Sequence, residues 1–161
     1  MKKLFVLFTI LVLSILTLGA CAQQPPIKYN VKFLIAGGEI YHEITVDSGT
    51  LINLPEAPTK DGVSFAGWFS DGNLYDSNPF PVGQNIILTA RWNASLNLYD
   101  GLDLIETKTY LAGNSIGLLS APAKDGYSFD FWALDALGEN PVTWPLTLNI
   151  NTNIYAFYQA V

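Results

Sequence analysis

The chain has 161 residues and a formal net charge of −6, and 50% of its residues are hydrophobic. Without residues 1–20 it keeps six basic and all fourteen acidic residues, a net charge of −8 that disfavours nucleic acid and anionic lipid headgroups as partners. One cysteine and one histidine exclude an internal disulfide and leave too few ligands for a typical zinc site.

The first 20 residues have the pattern of an export signal. Lys2 and Lys3 precede an apolar run from Leu4 to Leu16, and small residues follow this run. The run is too short for a typical membrane-spanning helix. We therefore expect residues 1–20 to be a signal peptide and the rest of the chain to be exported.

The segment Leu18-Gly19-Ala20, directly before Cys21, resembles the lipobox of bacterial lipoproteins. This resemblance implies that the Cys21 thiol takes a diacylglyceryl group, that the bond after Ala20 is cut, and that the new amino group can be acylated, for example with palmitate. Each buried methylene contributes about 0.8 kcal/mol, so a two- or three-chain anchor is effectively permanent. The alternative is an ordinary secretory signal with Cys21 near the cleavage point by coincidence.

Residues 21–28 are predicted to form the lipidated cysteine and a tether. Pro25 and Pro26 favour an extended backbone there. At about 3.1 to 3.5 Å per residue the tether spans about 20 to 25 Å. We therefore expect the folded part to lie close to the extracytoplasmic face of the membrane.

An internal repeat dominates the remaining sequence. The pattern Ala-Pro-x-Lys-Asp-Gly-x-Ser-Phe-x-x-Trp occurs at 57–68 and again at 121–132, 64 positions later. Such repetition indicates a duplicated structural unit. We predict two domains, one at 29–93 and one at 95–161.

Four strands are predicted in each unit, because short segments of alternating apolar and polar residues are separated by turn residues. Gly37-Gly38 and Asp100-Gly101 supply tight turns after the first strand of each unit. Pro58 and Pro122 prevent a long helix before the third strand, so a single helical turn at 51–54 or an irregular crossover is predicted there. The predicted strands are 29–36, 40–46, 64–70 and 86–93 in the first unit, and 96–99, 104–110, 128–134 and 153–159 in the second.

The Gly-rich hairpin, the short crossover, the repeated motif and a closing Leu-Thr-Ala-Arg-Trp strand together resemble the Listeria-Bacteroides repeat, also called the internalin B-repeat. The resemblance covers about residues 30–93 and 95–159. It implies a mainly β (α+β) fold: two tandem small ubiquitin-like β-grasp domains of the kind found in bacterial surface and secreted proteins. The second unit departs from the pattern with Phe131 in place of Gly67 and Phe157-Tyr158 in place of Arg91-Trp92.

Aromatic residues at matched positions are predicted to fill two cores. Truncation of Trp68 or Trp132 to Ala would cost about 3 to 5 kcal/mol if the side chain is buried. Phe80-Pro81 also aligns with Trp144-Pro145 at the 64-residue spacing, which predicts a second buried aromatic ring in each unit. The predicted core aromatics are Phe65, Trp68, Phe80, Trp92, Phe129, Trp132, Trp144 and Tyr158.

Binding or catalytic interpretations of single residues are weaker. Tyr75, Tyr99 and Trp144 could instead form a platform for sugar rings, which stack on exposed aromatic faces. The segment 71–78 contains Asp and Asn side chains that could bind calcium, although a solvated turn is the simpler interpretation. His42 has Glu106 at its matched position, and a strand residue is a simpler interpretation than a general base.

The sequence therefore predicts no catalytic residue, no metal and no cofactor. Asp100 and Asp103 are interpreted as hairpin charges and not as an acid and base pair. The favoured hypothesis is a lipid-anchored, non-enzymatic envelope or surface protein whose repeats bind an unknown protein or glycan through a sheet edge or face. The alternatives are a structural spacer or accessory lipoprotein without a ligand and, third, a carboxylate-based hydrolase. The expected partners are membrane lipid through Cys21 and that protein or glycan, not nucleic acid, and we expect a monomer.

Overall fold

The computed structural model describes residues 24–161. The predicted signal peptide, the lipobox Leu18-Gly19-Ala20 and Cys21 lie outside the described residues. The described part folds into β-strands with one short 3-10 turn at Ala36–Gly38. None of its helical segments has the length and hydropathy to cross a membrane.

The prediction of a mainly β fold is confirmed, because both repeats consist of successive β-strands. The first repeat contains β1 (Lys28–Leu34), β2 (Ile40–Asp47), β3 (Leu51–Ile52), β4 (Ser64–Ser70), β5 (Asn73–Leu74) and β6 (Phe80–Pro81). The strand β7 (Ile86–Asp100) crosses from the first repeat into the second. The second repeat continues with β8 (Asp103–Leu111), β9 (Asn114–Ile116), β10 (Tyr127–Ala133), β11 (Leu146–Leu148) and β12 (Thr152–Ala160).

Eight strands form one continuous sheet through both repeats. In the first repeat, β1 pairs with β2 antiparallel and with the beginning of β7 parallel, and β4 pairs with β7 antiparallel. In the second repeat, the end of β7 takes the place of β1, with β8 antiparallel and β12 parallel to it, and β10 antiparallel to β12. Each repeat therefore has a parallel pair at its centre, as the resemblance to a mixed β-grasp sheet implies.

The predicted boundary near residue 94 is not a linker. Asn93 pairs with Ser64 of β4 on one side and with Leu111 of β8 on the other. The separate strands predicted at 86–93 and 96–99 are therefore one strand, because the residues between them also have partners in neighbouring strands.

The alternation of buried and solvent-facing residues along β7 places both cores on the same side of the sheet. Its even-numbered residues from Leu88 to Leu98 are buried, while its odd-numbered residues face solvent. This alternation continues without interruption through the repeat boundary, so the sheet does not turn over there. Val63 and Ala112 contact both cores, so the two repeats form one packed body.

In each repeat, the connection between the second and third main strands contains a short β-strand instead of a helix, and this strand forms a two-stranded ribbon with a short strand that precedes the fourth main strand. β3 pairs with β6, and β9 pairs with β11. The helical turn considered for 51–54 is wrong, because Leu51 and Ile52 form a β-strand that pairs with β6.

The pairing in these ribbons also corrects the match between Phe80 and Trp144. Ile52 is opposite Phe80, whereas its counterpart Ile116 is opposite Leu146. Leu146 is therefore the structural counterpart of Phe80, and the offset between the repeats is 66 residues here. The extra residues lie in the loop after β10, which is longer than the hairpin between β4 and β5.

Candidate binding surface

The predicted core aromatics lie on the inner side of the sheet, and Phe65 and Trp92 also line a surface pocket with residues of the repeated motif. Trp132 donates a hydrogen bond from Nε1 to the Leu119 carbonyl at 2.9 Å. The indole N–H groups of Trp68 and Trp92 are buried and have no hydrogen-bond partner in the described part of the chain. Of the eight predicted core aromatics, four are buried, namely Trp68, Phe80, Trp92 and Trp132. The other four are half-buried against a core, namely Phe65, Phe129, Trp144 and Tyr158.

The three residues considered for a sugar platform do not come together. Tyr75 packs edge-on against Phe80 in the first repeat, with ring centroids 4.8 Å apart. Trp144 packs against the core of the second repeat. Tyr99 lies on the opposite side of the sheet and stacks on Tyr155. The platform of Tyr75, Tyr99 and Trp144 is therefore wrong.

The open side of the second repeat carries two cross-strand aromatic pairs. Tyr99 of β7 stacks on Tyr155 of β12 with ring centroids 5.2 Å apart. Phe131 of β10 stacks on Phe157 of β12 at 5.1 Å, with only 7° between the ring planes. Tyr155 and Phe157 are two residues apart on one strand, so both pairs lie on the same face. We call these four half-buried residues the aromatic strip.

A leucine of β8 and the loop after β10 lie beside the aromatic strip. Leu104 of β8 lies directly opposite Tyr99 and is 54% exposed. At the other side, the loop after β10 lies against Phe157, because a Cβ built on Gly138 would be 2.9 Å from that ring. The preceding Leu137 is 77% exposed. The apolar surface therefore continues beyond the rings at Leu104, and the loop borders it at Phe157.

Polar side chains border the aromatic strip along the strand direction. At one end, Asn97 Nδ2 donates to Asn153 Oδ1 at 3.0 Å, and Thr107 Oγ1 donates to Asn97 Oδ1 at 2.8 Å. At the other end, Gln159 Nε2 donates to Asp130 Oδ2 at 2.7 Å. An apolar surface with a polar border is typical of interaction sites.

Asp135 fixes the loop that lies against the strip. Its carboxylate accepts hydrogen bonds from the backbone N–H groups of Leu137, Glu139 and Asn140, at 2.8 to 3.2 Å. The Asn140 side chain adds a fourth bond at 2.9 Å. Desolvation by itself raises the pKa of Asp135, but these hydrogen bonds outweigh it and lower the pKa below the ordinary value of 3.8.

The first repeat has different residues at the positions of the aromatic strip. In the parallel pair of the first repeat, Leu34 is opposite Thr89, and these two residues occupy the positions of Tyr99 and Tyr155 in the second repeat. Likewise, Gly67 is opposite Arg91 in the first repeat, and these two residues occupy the positions of Phe131 and Phe157 in the second. The first repeat therefore has no aromatic ring at any of its four equivalent positions.

The arrangement of the rings favours apolar side chains over sugars as ligands. A sugar ring stacks on an open aromatic face, whereas each ring here has one face turned towards its partner. The Phe157 ring also contacts the loop at Gly138. Ring edges and methyl groups from a protein fit such a surface better than a flat pyranose ring.

The remaining residues considered from the sequence are engaged elsewhere. In the segment 71–78, Asn78 Oδ1 accepts the Leu54 N–H at 3.0 Å, and Asn73 Nδ2 donates to the Asp71 carbonyl at 3.3 Å. His42 lies on an exposed edge strand beside Phe33. Among residues 24–161, no group of three or more His, Cys, Asp or Glu side chains could hold a metal ion.

The repeated lysine of the motif has different surroundings in the two repeats. Lys124 forms an ion pair with Asp100 at 2.9 Å and lies 5.0 Å from the centre of the Tyr158 ring. The hydrogen bond to Asp100 raises the pKa of Lys124. Lys60 lies 5.9 Å from the centre of the Trp92 ring. Asp100 therefore acts as a partner of the motif lysine and is not arranged as a free catalytic acid with Asp103.

Comparison with known families agrees with this architecture. The sequence model of the Listeria-Bacteroides repeat domain matches residues 29–91 and 97–157. The chain belongs to the Listeria-Bacteroides repeat family. The two family matches begin and end close to the strands of each repeat, and β7 carries the end of one match and the beginning of the next.

The relatives that match this chain are longer than it is. A protein of Evansella cellulosilytica, whose name assigns it to the membrane, is 33% identical over 118 residues, which are 68% of this chain and 18% of that protein. Internalin H of Listeria monocytogenes serovar 1/2a is 29% identical over 121 residues, which are 71% of this chain and 22% of that protein. The chain thus spans less than a quarter of these relatives.

Proposed function

We propose that this protein is a lipid-anchored, non-enzymatic surface protein of a bacterial envelope, and that it binds a partner protein through the aromatic strip. The observation that carries the proposal is the aromatic strip itself. Two stacked pairs lie on the solvent side of the second repeat, at positions where the first repeat has Leu34, Gly67, Thr89 and Arg91. The Listeria-Bacteroides repeats and the relationship to Internalin H support a surface role.

The chemistry of the aromatic strip suits protein binding. Aromatic residues at the centre of an interface often provide most of its affinity, and a polar border excludes water around them. The rings already stack on each other across β7, β10 and β12, so little side-chain freedom is lost when a partner binds. Tyr99 and Tyr155 also offer hydroxyl groups for orientation.

The anchor determines where this partner would be. In the proposal, Cys21 carries the acyl chains, and residues 22–28 keep the folded part within about 25 Å of the membrane surface. The partner is then another protein of the same envelope, or one that reaches that surface.

The proposal is tested by cross-linking in intact cells that express the full chain, followed by mass spectrometry. The test variant replaces Tyr155→Thr and Phe157→Arg, the residues of the first repeat at these positions. The matched control is Ile87→Arg, because Ile87 is 57% exposed on the same side of the sheet in the first repeat.

The expected result is one cross-linked protein that is retained with Ile87→Arg and lost with the double variant. Equal recovery from both variants would show that the aromatic strip is not the binding surface. The variant Cys21→Ala tests the anchor separately, and loss of membrane association is expected.

One observation favours the alternative of a structural spacer. The continuous strand β7 joins the repeats without a hinge, which suits a rigid support. A spacer predicts that no protein is enriched with the native chain beyond abundant neighbours.

A further inference from the structure

The outer edge of β8 is the strongest candidate for a further contact. Within residues 24–161, β8 pairs with β7 on one side and with no strand on the other. The bulge in β8 lies near its beginning, so the pairing of Glu106–Leu111 with β7 is regular. A regular, unpaired edge without proline can add another strand through its backbone groups.

The charges on this edge complement those of a second copy. Glu106 and Lys108 lie on the same face of β8, with their charged atoms 2.7 Å apart. If two copies of β8 pair antiparallel about Thr107, Glu106 of each copy lies directly opposite Lys108 of the other. Two ion pairs between the strands then form around one Thr107–Thr107 contact, and opposite charges in such cross-strand pairs are stabilising.

In place of the monomer expected from the sequence, we propose that this protein forms a twofold symmetric dimer in which β8 of one copy pairs with β8 of a second copy about Thr107. The occupant of the edge is thus another molecule of the same chain, and the interface uses the same residues from both copies. The contact lies beside the aromatic strip, since Thr107 belongs to its polar border, but Glu106 and Lys108 face the core side of the sheet, so reversal of their charges leaves the strip unchanged.

The equivalent edge of the first repeat lacks this complementarity. Glu43 of β2 is 3.5 Å from Lys32 of β1, and Asp47 of β2 is 2.8 Å from Lys28 of β1. β2 itself contains no lysine or arginine. Self-pairing of β2 would therefore bring together acidic strands whose cations lie one strand further away. The β2 edge serves as the internal control.

The contact is small, because a few residues of a single strand per copy form its centre. Interfaces below about 1,200 Å² belong to the weak and transient class, so we expect dimerisation to depend on concentration. Removal of the charge pattern should therefore change the dimer fraction without unfolding either copy, since both side chains are on the surface.

The first experiment traps the dimer at its twofold axis. The full chain carrying Thr107→Cys is purified from membranes in a non-ionic detergent, treated with a short bis-maleimide and separated by denaturing electrophoresis. Thr45→Cys is the matched control on β2, since Thr45 and Thr107 are both exposed and both hydrogen-bonded to an asparagine on the adjacent strand. The unsubstituted chain, with Cys21 only, gives the background.

The second experiment reverses the charges in the Thr107→Cys protein. Glu106→Lys places like charges opposite each other and should lower the association constant of the dimer about tenfold. Adding Lys108→Glu to it exchanges the two charges and should restore cross-linking. The same yield from Thr45→Cys and Thr107→Cys would overturn the proposal. So would the absence of a dimer with Thr107→Cys, or a yield that does not respond to charge reversal.

Discussion

The two repeats have the same inner architecture and different outer surfaces. Trp68 and Trp132 occupy matched buried positions, and the same strand pairings surround them. On the solvent side, the first repeat has Thr89 and Arg91 where the second has Tyr155 and Phe157. Packing of the core restricts the inner residues, whereas solvent-facing residues can change without loss of the fold. The outer side is therefore where the repeats can differ in function.

The largest expected effect tests whether the two cores unfold together. Trp132→Ala should lower the free energy of unfolding by about 3 to 5 kcal/mol, because it leaves a large cavity in the second core. Since β7 belongs to both repeats, we expect one denaturant transition shifted as a whole. Tryptophan fluorescence and far-UV circular dichroism would follow it. Two transitions, of which only one shifts, would show that the repeats unfold independently.

A matched pair of substitutions compares the two buried indoles. Trp132→Phe removes the hydrogen bond to the Leu119 carbonyl, whereas Trp68→Phe removes an indole N–H that has no partner in the described structure. We therefore expect Trp132→Phe to be more destabilising than Trp68→Phe by about 1 kcal/mol. Urea titration of both variants measures the difference, and an equal loss would contradict it.

The loop beside the aromatic strip can be tested with two glycines. Gly138 has φ 78° and Gly72 has φ 83°, so alanine is strained at both positions, by about 1 kcal/mol. Only Gly138 lies against a ring, that of Phe157, while a Cβ on Gly72 meets nothing within 4 Å. Gly138→Ala should therefore cost more than Gly72→Ala in thermal unfolding. Equal costs would mean that the loop moves aside freely.

The smallest effect concerns the charge of Asp135. Its pKa is lowered in the folded protein, so its contribution to stability is present above the unfolded pKa of about 3.9 and is lost as the pH falls through the lower folded value. The melting temperature should therefore decrease more steeply below pH 4 for the native protein than for Asp135→Asn. Parallel curves for the two proteins would contradict this assignment.

Much of the fold could be predicted because the repeated motif and the alternation of apolar residues both report on strands. The shared strand is not predicted, because the 64-residue period favours a boundary between Asn93 and Ser95. The alternation itself continues there, since Trp92, Ala94 and Leu96 are apolar and the residues between them are polar. The signal for a continuous strand was therefore present in the sequence.

The aromatic strip was only partly visible in the sequence. Phe131 and Phe157 depart from the pattern of the first repeat, and each neighbours an inward-facing residue, Trp132 or Ala156. Their pairing with each other depends on the bulge between Phe129 and Phe131, which changes the register of β10 against β12. The first repeat has the same bulge between Phe65 and Gly67, so the register shift belongs to the repeated unit, but the alternation of apolar residues along one strand does not predict it.

The continuous strand β7 also determines how the molecule carries a mechanical load. β1 and β12 both run parallel to β7, one beside its beginning and the other beside its end. A pull between Lys28 and Ala160 therefore acts along the strands, and the hydrogen bonds that join β1 to β7 and β7 to β12 resist it together. Tension passes through a single backbone from one repeat to the other, so neither repeat can be peeled away before the shared strand is loaded.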